Sequence, residues 1–414
     1  MPLALRGATL LDGTGAEPRP ASIMVDGERI QGIDLASRGW PNTDVLDLGG
    51  LTILPGLIDA HSHLGVALPY TSLSHRGSAS AAELAAQIFH NCALALDAGF
   101  TTCRELGGVD GGVARAVDTG LIRGPRILPS GPAIAQDGGH VTFMPPYADI
   151  EAAEAIPGLY QFTAVCNGPE DVRLAARRAF RRGATQLKVM ATGGFSSPSG
   201  SIQDSQLSVD EIHAAVEEAA AHQTYVTAHA HTLPGLRNAV AAGVRCIEHG
   251  SYLDEATASL MQKEGVALVP TLTVIRLMRD EHAAWGLPEK IVPQLHGVEK
   301  AMREAIGCAR EAGLTIGFGS DLPGSNQNHR GLEFALRAEV DGAMQALVAA
   351  TSINARILGI SDRIGTVETG KIADLIVVDG NPLSEPRLLD DPSKVVMVIK
   401  GGRIMKDLQP DRHG

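Results

Sequence analysis

Residues 51–65, LTILPGLIDAHSHLG, form an apolar run that passes through a Pro-Gly turn and ends in two histidines. The apolar character predicts a buried strand, with His61 and His63 at its C-terminal end. Residues two apart on a strand point to the same face, so both imidazoles can bind a single ion. Active sites of parallel barrels lie at the C-terminal ends of the strands, and this stretch therefore predicts the first strand of such a barrel.

Further strand-like runs follow, separated by Ala-rich helical segments such as SAAELAAQIFHNCALALDAG and SVDEIHAAVEEAAAHQ, the latter opened by a Ser208 cap with Glu211 three positions on. The runs are FTTCREL, RILPSGP, QLKVMAT, YVTAHAH, VRCIEHG, VALVPTL and LTIGFGSD. With the first strand they predict an α/β fold with a (β/α)8 TIM barrel. Lys188, His229, His249 and Asp321 stand near the ends of four of these runs. Together with His61 and His63 they favour a two-metal hydrolase.

Lys188 needs a separate argument, because both faces of a parallel strand are covered and the side chain would be buried. Desolvation disfavours a buried ammonium. A neutral lysine amine can take up carbon dioxide to form a carbamate, which offers one oxygen to each of two divalent ions. The alternative is a stem that packs at the strand end while the amine reaches water.

Both ends of the chain differ from the middle. Short strand-like runs of alternating apolar and polar residues occur up to about residue 56 and again after about residue 363. This pattern predicts two domains. Residues 1–56 and 363–414 would form a small β-sandwich domain from both termini, and residues 57–362 the barrel.

Composition narrows the partners and the compartment. The 35 basic and 47 acidic residues give a net charge of −12, which disfavours nucleic acid and anionic membranes. The basic stretch RLAARRAFRRG is expected to be the solvated face of a helix. Five scattered cysteines indicate buried thiols in a reducing compartment. With no leader pattern and no apolar run of membrane-spanning length, a cytoplasmic protein is expected.

Several motifs resemble one family along almost the whole chain. They are LLDGTGAEP, LPGLIDAHSHL, AGFTTCRELGG, DGGH, KVMATGG, AHAH, CIEHGSYLD, GSD, ATSINARILGI, IGTVETGKIADLIVVDGNPL and VIKGGRI. The sequence resembles the amidohydrolase superfamily, in its prolidase-like and imidazolonepropionase-like branch of metal-dependent dipeptidases and carboxypeptidases. The resemblance also implies the terminal β-sandwich and a homo-oligomer.

The resemblance implies a binuclear centre with two divalent ions, for which Zn²⁺ is the best guess. His61, His63 and Asp321 would hold one ion, His229 and His249 the other, and carboxylated Lys188 would bridge them together with a hydroxide. The ions would activate that hydroxide and polarise the scissile carbonyl. Asp321 would carry its proton to the leaving amine.

Four residues are candidate substrate contacts. His140 matches a GGH motif that binds the substrate carbonyl in similar enzymes, and the alternative is a surface histidine. His231 occupies a position that lies near the substrate carboxylate in relatives. Arg104 can do likewise, or it can form a structural ion pair with a nearby acid. His329, in the loop LPGSNQNHRG, is a further candidate at the rim.

Three functions remain open. The first is a binuclear hydrolase that cleaves an N-acyl amino acid, a dipeptide or a related amide, including aromatic amide toxins and xenobiotics. The second is an imidazolonepropionase-like cyclic amidohydrolase or a deaminase; such relatives typically use one metal and lack the lysine on strand four. The third is a non-catalytic binding relative, which the retention of all six ligands disfavours.

Overall fold

The computed structural model describes residues 2–34, 43–66, 79–142, 155–195 and 201–409. The strands are β1 Leu3–Leu10, β2 Arg19–Asp26, β3 Arg29–Ile33, β4 Asp44–Asp47, β5 Thr52–Pro55, β6 Leu57–Ser62, β7 Phe100–Glu105, β8 Gly108–Val109, β9 Arg126–Pro129, β10 Ala133–Ala135, β11 Tyr160–Gln161, β12 Thr163–Val165, β13 Leu187–Met190, β14 Val226–Ala230, β15 Cys246–His249, β16 Ala267–Val269, β17 Leu375–Val378, β18 Val395–Lys400 and β19 Arg403–Asp407.

The α-helices are α1 Ala81–Asp97, α2 Gly111–Asp118, α3 Pro169–Arg181, α4 Val209–Ala221, α5 Leu233–Ala241, α6 Glu255–Lys263, α7 Leu272–Asp280, α8 Val292–Glu311, α9 Leu332–Asp341, α10 Ala343–Val348 and α11 Asn354–Ile357. Short 3-10 helices span Glu289–Ile291, Gly324–His329 and Pro386–Asp390, and a π-helix spans Ala349–Ile353. Among the described helices, none has both the length and the apolar character needed to cross a membrane.

The chain divides into two compact units. The first comprises Met1–Asp59, Ala93–Thr102 and Asn328–Gly414, and the second comprises Ala60–Cys92 and Cys103–Gln327. The first unit is larger than the predicted terminal domain because α9 packs against the 3-10 helix Pro386–Asp390 and Asn354 Nδ2 donates to the carbonyl of Ile58 at 2.7 Å. The limits 1–56 with 363–414 and 57–362 stay a prediction.

The first unit contains one sheet made from both ends of the chain, in the order β19-β18-β17-β5-β1-β2-β3, with β4 paired to β1. Strand β17 pairs antiparallel with β5, so that Val377 lies opposite Ile53. Their apolar side chains are buried in the core of this unit, beside Leu5, Ile23 and Ile399. The pairing of the two termini agrees with the alternating pattern, and a sandwich built on this sheet stays a prediction.

The second unit contains a parallel six-stranded sheet in the order β12-β10-β13-β14-β15-β16. A separate three-stranded sheet has the order β6-β7-β9. The predicted third strand, RILPSGP, forms a strand only over Arg126–Pro129 as β9, and the next strand, β10, lies beyond it in a different sheet. The predicted eighth strand is an extended segment with a single parallel bridge from Ile316 to Leu268.

Hydrogen bonds join this eighth segment to both of its neighbours. The N–H of Gly317 donates to Leu268 of β16 at 2.8 Å, and the carbonyl of Phe318 accepts from Ala60 of β6 at 3.0 Å. Gly319 allows the close approach, because a Cβ there would lie 2.6 Å from that of His61. The result is a TIM-barrel-like α/β fold, as predicted.

Local predictions outside the barrel strands can also be checked. Ser208 and Glu211 form the predicted capping box at the start of α4. All five cysteines are free thiols, and four of them are buried. The basic stretch lies on α3 and its face is solvated as predicted, with the Arg177 side chain 65% exposed; Arg173 and Arg177 also bind Glu217 and Glu218 of α4 at 2.5 and 2.7 Å.

Candidate metal centre and active site

The six predicted metal ligands line one cavity in the second unit. The cavity encloses about 520 Å³, including the part open to solvent. Asp321 is half-buried, and the other five residues, His61, His63, Lys188, His229 and His249, are at most 8% exposed. Parallel strand pairing explains why residues distant in sequence meet here: Met190, two residues after Lys188, lies opposite His229, and Ala230 lies opposite His249.

Asp321 lies at the centre of the predicted first ion site. Its Oδ1 atom is 3.3 Å from Nε2 of His61 and 3.1 Å from Nε2 of His63, and its Oδ2 atom is 3.9 Å from Nδ1 of His249. Ligand atoms of His61, His249 and Asp321 all lie within 4.8 Å of one another. These separations place one carboxylate and several imidazoles around a space that a single cation can fill.

A second group consists of His229, His231 and His249, whose ligand atoms also lie within 4.8 Å of one another. The rings of His229 and His249 are 4.4 Å apart, and those of His231 and His249 are stacked at 4.8 Å. His231 was expected to contact substrate rather than metal. Its Nδ1 atom is 2.7 Å from the hydroxyl of Ser251, which fixes the ring beside the predicted ligands.

Protein groups bind the Nδ1 atom in His61, His63 and His249. Nδ1 of His61 donates to Glu248 Oε2 at 2.7 Å, and Nδ1 of His63 donates to the carbonyl of Gly107 at 3.0 Å. Nδ1 of His249 is 2.7 Å from the hydroxyl of Thr271. For His61 and His63 this leaves Nε2 directed to Asp321. Such partners set the tautomer and orientation of metal-binding imidazoles.

Glu248 is a further residue of the candidate site that the sequence analysis did not single out. It is fully buried, and besides His61 it binds Arg104 Nη2 at 2.6 Å and accepts a hydrogen bond from the Thr227 hydroxyl. Burial alone would raise the pKa of Glu248, but the charges of Arg104 and His61 lower it to about 2. The carboxylate is therefore ionised, and it binds both a candidate ligand and a buried cation. The available signal in the sequence was that Arg104 and Glu248 are charged residues in apolar strands, because a buried charge needs a partner.

The backbone at two predicted ligands is unusual. His249 has a φ of +71° and Asp321 a φ of +56°, both in the left-handed region. Side chains with a Cβ seldom adopt this region, although Asn, Asp and His do so more readily than others. Such conformations cluster at functional sites, where the surrounding structure maintains them. The left-handed backbone occurs at the points where β15 and the eighth segment end.

His140 is the predicted substrate contact that the cavity includes. It is 7% exposed rather than on the surface, and its ring is 4.4 Å from that of His229. Its backbone N–H donates to Gln206 Oε1 at 2.8 Å. A side chain at Gly194 would meet the imidazole, because a Cβ there would lie 2.4 Å from Cε1. Gly194 of the ATGG motif thus provides the space that His140 occupies.

The other two predicted contacts have different surroundings. Arg104 is fully buried, and besides Glu248 it binds the carbonyl of Ala60 at 2.5 Å, so the geometry favours the structural ion pair over a contact with substrate. His329 lies at the end of a 3-10 helix in the first unit, with Nδ1 3.7 Å from Asp390 Oδ1. Their roles toward substrate stay predictions.

Comparison with known proteins identifies the family. A family model described as "Amidohydrolase family" matches residues 52–405. The chain belongs to the amidohydrolase family. The predicted resemblance is confirmed, and with it the expectation of a hydrolase that acts on amide bonds.

Individual relatives of this amidohydrolase have known names or structures. An ochratoxinase from Aspergillus niger is 32% identical over 363 residues, which cover 86% of this chain and 75% of the relative. A prolidase crystallised with N-methylphosphonate-L-proline is 37% identical, with a TM-score of 0.91 over 98% of this chain and all of the other. A Xaa-Pro dipeptidase with bound methionine is 30% identical, with a TM-score of 0.85 over 98% of this chain and 99% of the other.

Three predicted ligands of the amidohydrolase site have pKa values that suit cation binding, whereas for His63 burial lowers the pKa but the hydrogen bond and charge of Asp321 raise it overall. Burial, together with the charges of neighbouring histidines, lowers the pKa of His229 and of His249 well below the ordinary value. Burial lowers the pKa of His140 to about 3. Burial would raise the pKa of Asp321, but the charges and hydrogen bonds of His61 and His63 lower it well below its ordinary range. Neutral imidazoles and an ionised carboxylate are the forms that bind metal ions.

Lys188 differs from the other five because its ordinary form is a cation. Burial, reinforced by the charge of Arg104, lowers the pKa of Lys188 to about 8. The donor set is thus one carboxylate, four imidazoles and one buried amine, which fits divalent ions such as zinc. The family is generally metal-dependent, and the residues of this chain agree with that requirement.

Proposed function

We propose that this amidohydrolase cleaves the amide or peptide bond of an N-acyl amino acid, a dipeptide or a related amide, aromatic amides included, at a centre with two divalent ions. One observation carries the proposal: the six predicted ligands line a single cavity together with His140. The likeness to an ochratoxinase and to prolidases supports the class of bond.

The proposed centre uses the ligands in two groups. His61, His63 and Asp321 hold one ion, and His229 and His249 hold the second, with Zn²⁺ as the proposed metal. Lys188 would hold both ions as a carbamate. Its side chain is nearly inaccessible to solvent in a wall of histidines, where burial disfavours the ammonium although Glu248 and Asp321 partly compensate its charge.

The bound ions supply Lewis acidity toward the amide carbonyl and lower the pKa of water. Asp321 faces the same cavity, with its side chain 18% exposed, and accepts the proton of the attacking water. It then delivers this proton to the nitrogen of the leaving amine, because a positioned carboxylate can act first as a base and then as an acid. His140 donates a hydrogen bond to the carbonyl oxygen as negative charge develops there.

Lys188 separates this proposal from the alternatives. An imidazolonepropionase-like cyclic amidohydrolase or a deaminase is disfavoured because a buried lysine lies in the cavity wall. A non-catalytic binding relative is disfavoured because all six predicted ligands are present and line one cavity. A homo-oligomer stays a prediction from the family.

Metal removal and replacement test the proposed function. Purified protein is treated with a chelator, dialysed, and returned to Zn²⁺, Mn²⁺ or Co²⁺ in separate samples, and each sample is assayed against N-acyl amino acids and dipeptides. We expect hydrolysis to disappear on chelation, to return with metal, and to be greatest at two ions per chain by elemental analysis. Hydrolysis that persists in metal-free protein would refute the proposal.

A further inference from the structure

The cavity has a second wall that the proposed chemistry does not use. Besides the predicted ligands and His140, its lining consists of apolar side chains: Val66, Val141, Phe162, Met190, Val274, Met278, Trp285 and Pro323. Within the described lining, the ionisable side chains are thus confined to the six predicted ligands and His140.

Helix α7 contributes the core of this wall. Val274 and Met278 are four residues apart, so they lie on one face of the helix, and both line the cavity at 5% exposure. Arg276 and Arg279, between and after them, instead bind Glu299 of α8, each at 2.6 Å. The ion pairs on one side and the apolar stripe on the other fix the rotation of α7.

The same helix begins next to the predicted ligands. Thr271, the residue before α7, is 2.7 Å from Nδ1 of His249. Phe162 lies beside the ligands in another part of the lining, with its ring 5.5 Å from that of His63. An apolar group in this cavity is therefore held close to the bond that the predicted centre attacks.

Trp285 extends the apolar wall beyond the end of α7. It follows a turn in which its backbone N–H donates to Glu281 at 3.3 Å, and its side chain is almost fully buried at the cavity. Large aromatic side chains contribute most to the binding energy of apolar groups.

We propose that Val274, Met278 and Trp285 form a specificity wall that selects amides with a large uncharged apolar group, either an aromatic ring or a branched aliphatic chain. The inference rests on the proposed function and names its substrate class. A charged group against this wall would lose its hydration without a partner, which is costly. A large apolar group gains free energy there in proportion to the surface it buries.

Two substrate series test this inference and separate the two halves of the amide. The first varies the leaving amino acid, with N-acetyl derivatives of phenylalanine, leucine, alanine, aspartate and lysine. The second varies the acyl group, with N-benzoylglycine against N-acetylglycine. We expect a preference of at least about tenfold in kcat/KM in one series or both, since each methylene in an apolar pocket is worth about 10-fold or more. In the first series the phenylalanine and leucine derivatives should be preferred, and in the second series N-benzoylglycine. Equal kcat/KM within both series overturns the inference.

Variants then connect the preference to the wall. Met278→Ala and Trp285→Ala should lower kcat/KM for the apolar substrates at least about tenfold more than for N-acetylalanine and N-acetylglycine. Trp285→Phe should retain most of the preference. Leu277→Ala is the matched control, because Leu277 is buried on α7 at 6% exposure but is not in the described lining. A preference lost in Leu277→Ala as in Met278→Ala would contradict a specific role for the wall.

Failure of the inference can be distinguished from failure of the proposed function. If the metal-loaded protein hydrolyses none of these amides, the proposed function fails. The specificity wall is then tested without hydrolysis, by calorimetric measurement of the binding of N-acetylphenylalanine and N-acetylaspartate. Thermal unfolding checks that each variant is folded. Tighter binding of the phenylalanine derivative that weakens in Met278→Ala supports the wall, and equal binding of the two overturns it.

Discussion

Glu248→Gln is the substitution whose effects follow most directly from the geometry. Glutamine keeps the volume and can still bind His61, but it leaves the Arg104 guanidinium fully buried without a counter-charge. Breaking a buried ion pair from one side costs about 3–5 kcal/mol. Loss of a carboxylate partner behind a metal-binding histidine weakens metal affinity about 10–100-fold. We therefore expect two separable losses.

The assays measure each loss on its own. Denaturant unfolding of the metal-free protein gives the free energy of unfolding, and competition with a chromophoric chelator gives the zinc affinity. The double variant Arg104→Met with Glu248→Gln separates the effects, because it also removes the uncompensated charge. We expect it to recover much of the stability, since apolar replacement of a buried pair is often neutral. Its zinc affinity should stay low, because His61 still lacks its carboxylate.

Two results would refute this reasoning. Unchanged zinc affinity in Glu248→Gln would show that the 2.7 Å contact with His61 does not influence the site. Recovery of both stability and zinc affinity in the double variant would show that the metal effect arose only from weakened folding. A normal free energy of unfolding in the single variant would contradict the cost assigned to the unpaired guanidinium.

Three further predictions concern the centre and α7. Lys188→Ala should lose activity and metal content, with partial rescue by a short carboxylate in solution; full activity would exclude the proposed bridge. Asp321→Asn should lower kcat at least about 100-fold. His140→Ala should keep its metal and lower kcat/KM about 10- to 1000-fold. Steady-state kinetics and metal analysis of both variants check these outcomes. Burial would raise the pKa of Glu299, but hydrogen bonding by Arg276 and nearby arginine charges hold it below its ordinary value of 4.5. The stability that ionised Glu299 contributes is therefore present above pH 4.5 and is lost as the pH falls through the lowered pKa. The difference in unfolding free energy between the unsubstituted protein and Glu299→Gln should then shrink in acid. A difference that grows in acid would contradict the assignment.

The candidate ligands could be placed from the sequence because a parallel barrel converts position along a strand into position in space. A polar residue near the C-terminal end of a buried strand, such as His61 or Lys188, meets the others at one rim whatever its distance in sequence. This rule needs no knowledge of side-chain conformation. It therefore worked for residues separated by more than 200 positions, such as His61 and Asp321.

Other features depend on details that the rule does not contain. Arg104 and Glu248 pair because their side chains extend to the same buried point, and the sequence alone did not choose between this pair and a substrate contact. The sequence also did not show that the predicted third strand ends at Pro129 or that β10, in a different sheet, follows it. For α7, periodicity indicates an amphipathic helix, but it does not say that Val274 and Met278 face a cavity.

The left-handed backbone at the predicted ligands His249 and Asp321 would limit how a metal preference at the candidate site could be re-engineered. A cysteine at 249 or a glutamate at 321 would keep a donor atom, yet it would have to adopt a conformation that costs most residues about 1–2 kcal/mol. His229 lies inside a regular strand and is not among the described residues with positive φ. Ligand exchange toward a softer or harder ion would therefore begin at His229, where only the chemistry of the donor has to change.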